Sequence, residues 1–249
     1  MPVSHPRTRP SRPTITNSWA RACCAVLAVI GYHLDSVVVP GGWLGVDIFF
    51  VISGFVVTGS LLNNPQPSTG AFLAHFWARR LKRLMPGLVL SVLLTVTAYA
   101  ILVGGSDGSQ MLVYRSAQIS LVGGANIEYA TMRDSYWSQG VASLERNPFT
   151  HCWSLGVEEQ FYLAFPVLLA ASMRASAVAP SAGTSPPQTA SFTGCGCAAA
   201  VLGCSAVASL ALDVGLKASG NDQLAFYLMP TRFWQLSSGA LLVWALRSR

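Results

Sequence analysis

The sequence predicts an all-α membrane protein, a bundle of about six transmembrane helices with an amphipathic helix on its inner surface. Three observations carry that expectation. The 249 residues are 52% hydrophobic and only 10% charged, with a mean hydropathy of +0.46, too apolar for a soluble domain of this size. Six apolar stretches, at about 19–39, 43–62, 84–103, 153–173, 195–212 and 229–246, are long enough or nearly so to cross roughly 30 Å of hydrocarbon as helices. None of them alternates apolar and polar residues over about ten positions, as a membrane strand would.

Residues 1–17, rich in Pro, Arg, Ser and Thr, cannot bury a core and read as a disordered cytosolic tail ahead of a membrane domain at 18–249. The first span carries Arg21 near its start and His33 near its end. Taken singly, Arg21 reads as a topology anchor, and His33 is as readily a partner of a neighbouring helix as a catalytic group. Pro40-Gly41-Gly42 makes the outer turn. The second span then runs from Trp43, with Asp47 read as solvated at the outer interface and Ser53-Gly54 as close packing.

After a polar turn at 63–69, Phe72 to Pro86 reads as the basic amphipathic helix, with Arg79, Arg80, Lys82 and Arg83 suited to anionic lipid or to phosphates. Arg80 and Arg83, three apart, share a face. The third span ends near Gly104, and 105–150 reads as exterior, with Met111–Ala125 as a surface or re-entrant helix. The fourth span contains Pro166, and the Ala-Ser-Pro-Thr-rich stretch 175–194 is a flexible linker. Small residues dominate the fifth span, and the sixth opens with Arg232 at the outer interface.

One stretch organises the rest: Thr150-His151-Cys152-Trp153-Ser154-Leu155-Gly156-Val157-Glu158-Glu159-Gln160-Phe161-Tyr162-Leu163. Residues seven apart on a helix differ in direction by only about 20°, so His151 and Glu158 would share a face with Ser154 between them. A carboxylate entering hydrocarbon costs roughly 2.5 kcal/mol or more unless it faces a cavity or partner. The stretch therefore marks a polar, buried site.

The net charge of +6 is explained by topology rather than by nucleic acid. With the N-terminus cytosolic, 11 of the 16 Lys and Arg fall on the inner side, as the positive-inside rule favours. Of the six cysteines, Cys23, Cys24, Cys195, Cys197 and Cys204 fall inside spans and read as small apolar residues. Cys195-Gly196-Cys197 lacks the spacing of a metal site, and no metal is expected.

The motifs resemble the acyltransferase-3 group of multi-pass membrane acyltransferases, which includes bacterial O-antigen and peptidoglycan O-acetylases. Five blocks carry the resemblance in family order: the Arg21 to His33 helix, Gly41 to Phe55, Phe76 to Pro86, Asn147 to Leu163, and Phe226 to Trp234. The resemblance implies transfer of an acyl group, usually acetyl, from acyl-CoA to a hydroxyl of a glycan or lipid-linked carbohydrate. Acetyl-CoA would be a donor substrate, with no resident cofactor, and the setting a plasma membrane. By position, His33 resembles the family's essential first-helix histidine. Arg21, Arg80 and Arg83, with Arg79 beside them, resemble its cytosolic acyl-CoA contacts. Glu158 resembles the recurrent carboxylate of the Trp-Ser-Leu block, with Ser154 and His151 its polar neighbours.

The residues suit that chemistry. A sugar hydroxyl needs a base, for which histidine near pH 7 is the usual choice. The expectation is direct attack of the acceptor oxygen on the thioester, with His33 as base and Glu158 orienting it, or an acyl-enzyme on His33 or a serine. The chain departs from the family's pattern twice. Eleven residues rather than ten separate Arg21 from His33, which a π-bulge would absorb. Family members also carry about ten spans, so the resemblance covers their N-terminal part and a partner chain would supply missing helices. Two other readings compete: a truncated, inactive acyltransferase, and a transporter or lipid-binding protein with a buried ionisable relay. A transporter would often show an internal repeat, and none relates the two halves.

Overall fold

The computed structural model describes residues 18–63, 68–103, 109–132, 147–178 and 195–247. The expected tail at 1–17 and the larger part of the expected linker, 179–194, lie outside these residues. Among the described residues the chain is helical throughout, without strands. The helices are α1 (Ser18–Leu34), α2 (Leu44–Leu62), α3 (Thr69–Leu102), α4 (Ser109–Leu121), α5 (Ala125–Thr131), α6 (Cys152–Val178), α7 (Cys195–Ala218), α8 (Asp222–Tyr227) and α9 (Met229–Arg247).

Leu44–Leu62, Thr69–Leu102 and Ala198–Ala218 are long and apolar enough to cross a membrane. The other three expected crossings are helices, but length and composition do not establish them. In α1 the apolar segment is shorter, Ala20–Leu34. Helix α6 carries Glu158, Glu159 and Gln160, and α9 carries Arg232 and Gln235. Of the six expected crossings, length and hydropathy show three among the described residues. The outward surfaces of these helices are apolar, with Leu27, Ile30, Leu93, Leu94, Val207 and Val214 all exposed, as suits a lipid-facing bundle.

Three boundaries differ from expectation. The first span was to reach residue 39, yet α1 stops at Leu34 because the Asp35 carboxylate accepts from the Val37 and Val38 amides at 2.8 and 3.2 Å. That local turn competes with helix continuation. The basic helix and the third span are one element rather than two, since α3 runs unbroken through Pro86. At roughly 51 Å it is longer than the hydrocarbon is thick, so its basic N-terminal part projects beyond the apolar part. Helix α7 extends past residue 212 to Ala218, with Lys217 pairing at 2.9 Å with the buried Asp213 one turn earlier.

The tightest packing is between α2 and α9, followed by α7 with α9 and α1 with α2. Glycine permits it. A Cβ on Gly54 would lie 1.9 Å from the Leu236 carbonyl oxygen, and one on Gly239 equally close to that of Val51. Small residues let membrane helices approach to backbone contact, where dispersion and polar contacts replace the missing hydrophobic drive. The aromatic core sits where α6 meets α8 and α9, around Trp153, Phe161, Phe226, Tyr227 and Phe233.

The α4–α5 pair packs against α6. Its turn reaches Gln160, whose amide donates to the Gly123 carbonyl at 3.2 Å and to Asn126 Oδ1 at 2.7 Å. Asn126 also donates to the Tyr227 carbonyl at 3.1 Å. These bonds satisfy the backbone of a turn that would otherwise be orphaned beside an apolar helix.

Candidate functional site

Helix α6 places Glu158 and Tyr162 one turn apart on the face toward α2 and α3. Glu158 is only 4% exposed, and both of its oxygens are held. Ser53 Oγ of α2 donates to Oε1, and the Tyr162 hydroxyl donates to Oε2 at 3.2 Å. Trp77 of α3 donates its indole N–H to the Tyr162 carbonyl at 2.9 Å, fixing α3 against α6 at this level. Arg80, one turn further along α3, lays its guanidinium 4.9 Å from the Tyr162 ring centroid and 5.4 Å from that of Phe76. Such stacking contributes roughly 0.5–2 kcal/mol and leaves the guanidinium edge available for anions.

Two cavities meet here. The larger, about 310 Å³, is lined by Ser60, Phe76, Arg79, Arg80 and Arg83. The smaller, about 130 Å³, lies deeper, with Ser53, Glu158 and Tyr162 among apolar side chains such as Phe49, Ile52 and Leu84. Arg80 and Arg83 line both, so three arginines form the rim and a hydrogen-bonded carboxylate the floor. The arrangement can hold a phosphate-bearing ligand outside and a thin, mostly apolar arm inside.

Of the residues singled out from sequence, Glu158, Arg79, Arg80 and Arg83 are brought together. The others stand apart. His33 is exposed near the end of α1, with its ring edge-on to Tyr32 at 5.7 Å, and it lines neither cavity. Ala22 of α1 does line the deeper cavity, and His33 follows it by eleven residues, about 16 Å of helix rise. His33 and Glu158 thus do not share the one pocket expected of them. Arg21 is exposed beside Ala22. Since α1 is regular α-helix throughout, without the expected π-bulge, Arg21 and His33 point about 120° apart.

The expected face of His151, Ser154 and Glu158 does not form either. His151 belongs to the turn before α6 and is exposed, and the Ser154 hydroxyl donates back to the His151 carbonyl at 3.0 Å. Two residues at the site, Ser53 and Tyr162, are not among those the sequence singles out. Their signal there is a hydroxyl in an apolar span and a phenol one turn beyond a glutamate.

A second buried polar junction lies toward the other end of the bundle. Asp47 of α2, expected to be solvated, accepts from Gln235 at 2.8 Å and from Arg232 at 3.4 Å, both of α9. Arg232 also donates to the Phe226 carbonyl at 2.9 Å and stacks over the Phe226 ring at 4.9 Å. Arg115 of α4 pairs with the buried Glu128 of α5 at 2.5 Å. Burial raises the Glu128 carboxyl above its usual range, and the Arg115 charge offsets this only in part. No group of His, Cys, Asp and Glu suited to a metal ion occurs among the described residues.

A family model described as an acyltransferase domain matches residues 19–229, most of the chain. The chain belongs to that acyltransferase family. The match takes in α1 to α8 and with them every residue of both cavities. Among curated proteins it is similar to a provisionally named O-acetyltransferase of Staphylococcus aureus strain COL, 41% identical over 145 residues. It is also similar to the O-acetyltransferase OatA of Staphylococcus aureus strain NCTC 8325, 38% identical over 145 residues. Each alignment covers 58% of this chain and 23% of the relative, so the chain aligns with under a quarter of those proteins' length. No solved structure matches it significantly.

Proposed function

We propose that this chain is the membrane acyl-transfer part of an O-acetyltransferase, moving acetyl from acetyl-CoA to a hydroxyl of a glycan or lipid-linked carbohydrate. The observation that carries the reading is the buried Glu158, hydrogen-bonded at the floor of a cavity whose rim is Arg79, Arg80 and Arg83. CoA is a phosphate-rich head on a thin thioester arm. Its phosphates suit the arginine rim, and the arm suits the mostly apolar inner chamber. The relatives, an O-acetyltransferase by provisional name and the O-acetyltransferase OatA, support an O-acetyl product.

In this reading Glu158 is the proton acceptor at the reacting carbonyl, since a base must lie within hydrogen-bond reach of the proton it takes. Arg80 and Arg83, lining the same chamber, would carry the negative charge that develops on the thioester oxygen. His33, at the far end of α1, would act on the acceptor side, and Arg21 would remain an anchor at the inner rim. The N-terminus would be cytosolic, the arginine rim would face the cytosolic CoA pool, and the bilayer would be the plasma membrane.

Labelled acetyl-CoA supplied to membranes containing the chain tests this. Label should reach a glycan or lipid fraction and fall by at least about a hundredfold in Glu158→Gln, the lower end of what a general base contributes. Undiminished transfer in that variant would refute the assignment. Equal labelling in His33→Ala would remove His33 from the mechanism.

A further inference from the structure

The deeper chamber is narrow, about 130 Å³ against the roughly 300–1,000 Å³ of a pocket that holds a drug-sized ligand, and it shares Arg80 and Arg83 with the arginine-lined cavity. A group on the chamber wall that could hold the acyl chain would let donor and acceptor visit it in turn.

One side chain is placed to hold it. A serine or threonine inside an apolar helix normally turns its hydroxyl back to a carbonyl of its own helix. Thr58, Ser120, Ser172 and Ser238 all do so here, donating to Gly54, Ser116, Leu169 and Trp234. Ser53 does not. Its hydroxyl crosses from α2 to α6 and gives its proton to the Glu158 carboxylate, and the residue lines the chamber with Arg80 and Arg83. A hydroxyl bonded to a base, beside cations that can hold an oxyanion, is the arrangement of an activated nucleophile. The Tyr162 hydroxyl on the second carboxylate oxygen orients that base.

We propose that Ser53 is a catalytic nucleophile that carries the acyl group as an ester between donor and acceptor. In the first half-reaction the Ser53 Oγ–acyl carbon bond forms as the thioester carbon–sulfur bond breaks. The Oγ proton passes to Glu158 and then to the departing thiolate, which leaves as the free thiol. In the second half-reaction the acceptor oxygen attacks the same carbon and gives its proton to Glu158. The carbon–Oγ bond breaks, and Glu158 returns the proton to Ser53. No electrons are gained or lost, and both protein groups end as they began.

The inference rests on the proposed acetyl-CoA donor, and one experiment separates its failure from the failure of that reading. Purified full chain in detergent is mixed with radiolabelled acetyl-CoA without acceptor, quenched in denaturant, run on a gel and digested for mass spectrometry. Label is expected on the wild-type chain, released by alkali, and mapped to the peptide containing Ser53. Ser53→Ala should take no label while still binding CoA, which also reports that it is folded. Ser53→Cys should take label as a thioester released by neutral hydroxylamine. An unlabelled wild-type chain that still transfers acetyl, label on another residue, or wild-type transfer by Ser53→Ala would each overturn the role of Ser53 and leave the acetyltransferase reading standing. A wild-type chain that neither binds CoA nor transfers acetyl would overturn both.

Discussion

At the residue scale the site rests on how one buried carboxylate is satisfied. A glutamate inside a membrane bundle is tolerated when its oxygens are hydrogen-bonded, and each such bond to a charged group contributes about 1.5–3 kcal/mol. Glu158 receives two, from Ser53 and Tyr162. The arginines have a different task. Arg80 is already stacked on Tyr162 and Phe76, so its loss removes a phosphate contact and part of the chamber wall together. Arg80→Ala should weaken CoA binding about tenfold to a hundredfold, the worth of one charged hydrogen bond. Calorimetric titration of CoA into the purified variant checks this, and unchanged affinity would leave Arg80 a packing residue.

Arg232 offers a contrasting case, since its partners are structural. It joins α9 to α2 through Asp47 and to the end of α8 through the Phe226 carbonyl. Arg232→Ala would leave Asp47 and that carbonyl short of a donor, and breaking one side of a largely buried pair costs roughly 3 kcal/mol. A lower melting temperature in detergent, with CoA affinity kept in the folded fraction, is the expected result.

At the scale of elements, the α2–α9 contact sets where Ser53 sits, because its neighbour Gly54 touches the backbone of α9. Gly54→Ala would drive a methyl group into the Leu236 carbonyl, and overpacking of this kind costs about 1–3 kcal/mol. The variant should melt earlier and, by displacing Ser53, lose transfer activity beyond its loss of stability. The α4–α5 hairpin responds to pH instead. Burial raises the Glu128 carboxyl above its unfolded value despite Arg115, so its contribution to stability is complete below the ordinary glutamate range near 4.3 and is lost as pH rises through the folded value. Glu128→Gln should flatten that slope, which melting curves at acidic and neutral pH will show as a variant that gains on wild type as pH rises.

At the scale of the whole molecule, the proposed function predicts an orientation. If the arginine rim faces the cytosolic CoA pool, the turn between α1 and α2 should face outward. Val37→Cys, on a background with the native cysteines replaced, should react in intact cells with a maleimide that cannot cross membranes, and Arg79→Cys should not. The reverse pattern would put the rim on the wrong side for cytosolic CoA.

The sequence by itself determined the helical class, the bilayer as solvent and the membership of an acyltransferase family, because these follow from composition, from runs of apolar residues and from ordered blocks that survive along the chain. It also picked out Glu158 and the arginines, since charge is rare enough in such a chain to be conspicuous. It misjudged the length of α1, where a single aspartate turn outweighs apolar propensity, and it split α3 at a proline that the helix accommodates. Tertiary structure alone decided that Ser53 and Tyr162, not His151, Ser154 or His33, stand against Glu158. The reason is that helical periodicity fixes which residues share a face of one helix but says nothing of which face meets which neighbour. That is settled by glycine-permitted approaches between helices distant in sequence, such as Gly54 against Leu236.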